Sequence, residues 1–340
     1  MKFFSKLLVL LALALCAGPA PAAFINGRGY TSLGGWAVAN RLRFFQNGRS
    51  DEYVATNRNL RLVFEKGSHT VSINGVNVAL SFPVAVDKGV VMIAQLDLAK
   101  TIEPLIFSPK LSTRKIFTIC LDPGHGGKDS GNRVGGFFFR RSEKTYTLAL
   151  ALELRDQLKR AGFAVLLTRA NDTFVDLPAR PALANRHGAD LFVSLHFNAT
   201  EVGKNEVAGP ETYCITPVGA SSSNAQGEGA DHGACVANAF ENKSLLLAYQ
   251  VHKSLVRNLG VEDRSVRRAR FAVLRDATMP AILIESGYMT NPTEGKKIFD
   301  ANYRRQIAAA IVKGILAYQQ LTVAVPPARP IKNISHEHRH

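Results

Sequence analysis

Three short apolar runs, residues 118–121, 191–195 and 281–284, constrain this chain more than any other feature. Each has the length and composition of a buried strand. Amphipathic segments separate them. One helix is expected with Leu148, Ala151, Leu152, Arg155 and Leu158 on its apolar face, capped by Ser142 and ended by Gly162. A strand at 163–167, a short helix at 183–187 and helices at 244–258 and 303–320 complete the pattern. Strands alternating with helices predict an α/β fold, a three-layer αβα sandwich, rather than an all-β enzyme. In open α/β sheets the ligand sits where the strands end.

The chain before this region is of a different kind. Asn74-Gly75 sits between HTVSI and VNVAL, where both residues tolerate the positive φ of a type I′ turn. Strands near 60–64, 70–73, 76–80 and 90–93, with a helix around 32–42, imply a small β-rich (α+β) accessory domain over 23–111. Residues 108–115 read as a linker into a catalytic domain at 112–322. At the N-terminus, Lys2 and Lys6 precede an apolar stretch over 7–17, and Ala20-Pro21-Ala22 offers a small-residue cleavage site. That is the pattern of a secretory signal peptide over 1–22, so the mature protein is expected to be exported, periplasmic or attached to the cell envelope. The apolar stretch is too short to span a bilayer, and no later stretch looks transmembrane. Lipidation at Cys16 is the minority reading, because Leu15 before it is not small. The tail, 323–340, contains three prolines, ends in HEHRH and reads as a disordered extension.

A formal charge of +15 and a pI near 9.8 make a polyanionic partner an option. The basic residues are scattered apart from Arg264, Arg267, Arg268 and Arg270, and no aromatic-rich basic stripe accompanies them, so nucleic acid is not expected. Export leaves Cys120, Cys214 and Cys235. Cys120 lies in the first strand as a buried thiol, and a Cys214–Cys235 disulfide stays open.

The chemistry gathers at the strand ends. His125 follows the first strand in DPGHGG, His196 closes FVSLH and Glu285 closes AILIE; Glu143 opens the helix after the first loop. Gly124, Gly126 and Gly127 let the backbone turn sharply and leave His125 accessible. Taken singly, each has an ordinary explanation: a glycine-rich turn, a satisfied core histidine, a carboxylate at a helix start. Two imidazoles and one carboxylate together make a common catalytic zinc set with a position left for water. A nearby carboxylate, for which Glu285 is placed, serves such a site as proton acceptor and donor.

The segments LDPGHGGKDSG, SEK, SLHFNA and MPAILIESGYMTNPTE, in that order over about 115–322, resemble the signatures of the zinc-dependent N-acetylmuramoyl-L-alanine amidases (amidase type 3). The resemblance implies one Zn2+ held by His125, Glu143 and His196, with Glu285 catalytic. It implies hydrolysis of the amide between the lactyl group of N-acetylmuramic acid and the L-alanine of peptidoglycan stem peptides. A monomer is expected, and dependence on a protein activator is left open. Residues 73–105 resemble the stalk-like domain named after the N-terminus of copper amine oxidases, without a histidine cluster to hold copper; His69 reads as a surface residue. Phe137, Phe138 and Phe139 depart from the shorter family members. So does the polar stretch 217–243, which lacks the apolar period of an inhibitory helix and reads as a mobile loop. Within that loop His232 reads as solvated. A zinc carboxypeptidase acting on stem peptides and an inactive wall-binding activator are the alternatives.

Overall fold

A computed structural model describes residues 22–107, 115–135, 140–223 and 233–322. Residues 1–21 of the expected signal peptide, most of the linker, Phe137 to Phe139, His232 and the tail lie outside the described residues. The chain forms two compact units. One comprises residues up to Asn74 together with Phe82–Gln95; the other comprises Gly75–Ser81 and everything from Leu96 onward. Residues 75–81 and 96–107 group with the larger unit.

The smaller unit is β-rich. Strands Ala22–Ile25, Arg28–Ser32, Val90–Ala94 and Ala85–Asp87 form an antiparallel sheet in that order. Arg43–Gln46, Glu52–Thr56, Arg61–Glu65 and Thr70–Ile73 form an antiparallel meander. Alternation sets which side is buried, with Leu62 and Phe64 inward and Arg61 and Glu65 outward. The helix Leu33–Ala39 buries Leu33, Trp36 and Ala37, and the Ser32 hydroxyl accepts the Gly35 N–H at its start. Asn74 and Gly75 adopt φ of 49° and 77°, as a type I′ turn demands. His69 is exposed.

The larger unit carries the expected sandwich. Its sheet runs Ala164–Leu167, Thr118–Pro123, Leu191–Asn198, Ala281–Tyr288, Glu211–Cys214, Val266–Arg268, Val76–Ala79. The first four strands are parallel, and Glu211–Cys214 reverses the direction. One face, with Cys120, Phe192, Ala281, Leu283 and Tyr213, packs under the short helices Ala179–Arg186 and Ala272–Arg275. The long helices Glu143–Arg160, Glu241–Leu259 and Ala301–Thr322 pack on one another and on the sheet, forming the other layer.

Two local expectations are corrected. The buried stripe of Glu143–Arg160 is Thr147, Leu150, Ala151, Leu154 and Leu158, not the set containing Leu148, Leu152 and Arg155. The phase follows from Glu143 itself, which is buried at the helix start and shares the face of residues spaced three and four apart. Ser142 stands at the N-cap without a side-chain capping bond. The short helix is longer than expected, Ala179–Arg186, because its interior proline lies within the first turn, where a missing N–H costs little. Cys120, Cys214 and Cys235 are all free thiols; burial pushes the Cys120 thiol up to about 12, with the Asp122 charge adding to the effect.

Candidate metal centre

The loop leaving Thr118–Pro123 has to hold a histidine in a conformation that side chains avoid. His125 has φ of 63°, in the left-handed region, at a cost of about 1–2 kcal/mol for a residue with a Cβ. Two buried arginines grip the backbone on either side. Arg180 donates to the carbonyls of Pro123 (3.0 Å) and His125 (3.0 Å), and Arg169 to those of Pro123 (2.9 Å) and Gly124 (2.8 Å). Arg180 is in turn anchored by Asp122 at 2.8 Å, a carboxylate that also accepts the hydroxyls of Thr168 (2.6 Å) and Ser194 (2.7 Å). Asp122 and Arg180 are 0% and 2% exposed, so this is a satisfied buried ion pair beneath the loop.

Glu143 reaches the same place from its helix and is 1% exposed. Its Oε2 accepts from the Asn132 N–H (2.9 Å) and lies 3.0 Å from His125 Nε2. Its Oε1 accepts from the Phe197 N–H (3.1 Å) and lies 3.0 Å from His196 Nδ1. Burial alone would raise its pKa; the hydrogen bonds from His125 and then His196 outweigh burial and hold the carboxyl well below the usual carboxylate range. His196 comes from the strand Leu191–Asn198, and its ring lies T-shaped to His125 with centroids 4.8 Å apart. Glycine is required at two approaches. A Cβ at Gly124 would stand 2.2 Å from His196 Cε1, and one at Gly131 would stand 2.6 Å from Glu143 Oε2.

One donor atom from each of His125, Glu143 and His196 lies within 4.8 Å of the others, and this is the group of potential metal ligands among the described residues. Asp129 Oδ2 is 2.8 Å from His125 Nδ1, which orients the ring and leaves Nε2 toward the cluster. The His2Glu donor set is one that suits zinc with an open coordination position.

Glu285 completes the cluster. It is directly opposite His196 in the parallel pairing of their strands, so both side chains leave the same face at neighbouring positions. Its Oε2 is buried and has no hydrogen-bond partner among the described residues. Burial, then the negative charges of Glu143 and Glu211, push its pKa well above the ordinary carboxylate value. An unpartnered acid beside a second buried carboxylate is a place where a dication would relieve repulsion, so the residues present fit such an ion.

The third acid, Glu211, was not anticipated. It pairs opposite Glu285 from the other side and is 2% exposed. Tyr213 and Tyr288 donate their hydroxyls to it at 2.7 and 2.9 Å, and Arg264 and Arg267 each approach it at 3.3 Å. Half of the basic cluster noticed in the sequence is thus spent on an internal carboxylate. The only signal was an acid in PETYC at the start of a strand, which carries no metal spacing. Asp129 lay inside a quoted motif without an assigned role.

The N-acetylmuramoyl-L-alanine amidase family model (Amidase_3) matches residues 119–317, more than half of the chain. The chain belongs to that family. His125, Glu143, His196, Glu211 and Glu285 all lie within the matched span. The chain is 32% identical over 225 residues to the N-acetylmuramoyl-L-alanine amidase AmiA of Escherichia coli, covering 59% of this chain and 75% of AmiA. It is 34% identical over 201 residues to LytC, the Bacillus subtilis amidase, of which it spans 35%. The crystal structure of an amidase from Clostridium difficile 630 superposes with a TM-score of 0.50 at 34% identity, over 61% of this chain and 98% of that one. The amidase match begins at residue 119, beyond the smaller β-rich unit.

Proposed function

We propose that this protein is a zinc-dependent, exported N-acetylmuramoyl-L-alanine amidase that cuts peptidoglycan between the lactyl group and the first L-alanine of the stem peptide. His125, Glu143 and His196 are the proposed zinc ligands and Glu285 the proton-transfer residue. The observation that carries the reading is the convergence of a His2Glu donor set with a glutamate on the neighbouring strand whose buried Oε2 has no hydrogen-bond partner among the described residues. Bound zinc supplies Lewis-acid polarisation of the carbonyl and acidification of water.

The chain's own groups account for the rest. Asp129 fixes the His125 tautomer, and Glu143 is held ionised by its histidine partners. Glu285 Oε2, with no competing donor, accepts the proton of the attacking water as the water oxygen bonds to the lactyl carbonyl carbon. It then gives that proton to the alanine nitrogen as the C–N bond breaks, releasing a lactyl carboxylate and a peptide with a free amino terminus. Burial and the neighbouring charges of Glu143 and Glu211, which raise its pKa, make Glu285 a stronger proton acceptor than an ordinary carboxylate.

Export is proposed from the N-terminal sequence, and no helix among the described residues is long and apolar enough to cross a membrane. The β-rich unit is proposed to be a wall-associated accessory domain. Mass spectrometry of fragments from purified peptidoglycan tests the activity. Intact peptides starting at L-alanine are expected, lost on chelation and restored by zinc. Release of single amino acids would replace this reading with a carboxypeptidase.

A further inference from the structure

The larger unit opens a cleft of about 610 Å³ whose lining includes Arg133, the chain neighbour of the Asn132 that donates to Glu143. Its walls carry four cations, Arg133, Arg141, Lys204 and Lys296, against one acid, Glu201. None of the four is paired with a carboxylate among the described residues. Arg133 donates Nε to the Ser130 hydroxyl at 2.7 Å, and the Arg141 guanidinium lies over the Phe299 ring at 4.2 Å. Like charges gathered around a concavity without counter-charges focus a positive potential into it. The cleft is therefore built for an anion rather than for a neutral sugar.

Its position follows from the chain. Arg133 and Ser142 face each other across a two-residue ladder, so Arg141 stands two residues before Glu143. Met289, also in the lining, follows Glu285 by four residues. An extended chain covers about 3.3–3.6 Å per residue, so the backbone of Arg141 lies within about 7 Å of that of Glu143, and the backbone of Met289 within about 14 Å of that of Glu285.

We propose that this cleft receives the peptide on the leaving side of the scissile amide, and that its cations recognise free carboxylates on that peptide. The inference rests on the amidase reading above. Charge complementarity decides between the two halves of such a substrate: the peptide carries carboxylates, whereas the glycan side is uncharged beyond the bond being cut. Arg141, lying over the Phe299 ring, offers the planar fork that pairs with a carboxylate, and Lys204 and Lys296 act as point charges.

The test uses two soluble muramoyl peptides that differ in one group: the residue after L-alanine carries either a free α-carboxylate or the corresponding amide. With the zinc-loaded full chain, the ratio of kcat/KM values is expected to favour the free carboxylate and to shrink with added salt. Lys296→Gln and Lys204→Gln are each expected to reduce that ratio about two- to fivefold, through KM rather than kcat, and together to reduce it further, leaving only the share carried by Arg133 and Arg141. Equal kcat/KM for the two peptides in the wild type, or a preference undiminished in the double variant, overturns the proposal while leaving the amidase reading intact. Failure of the wild type to cut either peptide at the lactyl amide would overturn both.

Discussion

Gly124→Ala is a small perturbation with a large expected effect at the cluster. Gly124 does not adopt a positive φ, so alanine brings no backbone penalty there. The whole consequence falls on His196, whose Cε1 and Nε2 would lie 2.2 and 2.4 Å from the new methyl group. Ordinary contact begins at 3.4 Å, so the ring has to retreat by about 1.2 Å. It cannot do so freely, because Nδ1 is bonded to Glu143 and the ring stacks edge-on against His125. Overpacking of this kind costs about 1–3 kcal/mol in stability. A displacement near 1 Å at a reacting centre costs on the order of 10²-fold in rate. Zinc affinity by chelator competition and turnover on labelled peptidoglycan are both expected to fall by at least tenfold, with far-UV circular dichroism unchanged. Wild-type zinc affinity and turnover in Gly124→Ala would refute the claim that His196 belongs to the metal centre.

Glu285→Gln is expected to lower kcat by about 10²–10⁴-fold while retaining zinc. The metal-free variant should also melt higher than the wild type, because a carboxylate crowded by Glu143 and Glu211 loses its charge; calorimetry in chelator checks this. Arg180→Met removes the partner of buried Asp122 and the donor to the His125 carbonyl, with an expected loss of about 3–5 kcal/mol in urea unfolding. For Asp263, burial raises the pKa, but the His252 hydrogen bond and charge and the N–H groups of Asn77 and Ser265 outweigh it and hold the carboxyl below its ordinary value. A depressed folded pKa contributes stability that is present above the unfolded value near 3.9 and is lost as pH falls through the folded value. The stability gap between wild type and Asp263→Asn should therefore be full at pH 6 and close below about pH 4; urea titrations across that range measure it.

The sandwich and the gathering of His125, Glu143 and His196 were legible because they depend on short-range signals. Apolar strand runs ending in His196 and Glu285, and glycines around His125, state their geometry within a few residues. Glu211 was not legible, since its meaning arises only when a reversed strand brings it opposite Glu285, a pairing across 74 positions. The arginines were legible as charge but not as structure. Arg180 and Arg169 could be placed beneath the His125 loop only by the fold, and Arg268 is buried with donors to the carbonyls of Ile215 and Lys100. The helix stripe over Glu143–Arg160 was misphased for a related reason. Hydrophobicity alone points to Leu148 and Leu152, whereas the fold rotates the helix to bury Glu143 at its start.

The central claim, that His125, Glu143 and His196 hold the zinc that serves hydrolysis, is tested most directly by diffraction at the zinc absorption edge on crystals of the active enzyme. The account predicts one anomalous peak about 2.0–2.2 Å from one atom of each of the three side chains, with Glu285 beside it. A fully active enzyme whose zinc lies elsewhere, or that holds none, would contradict it.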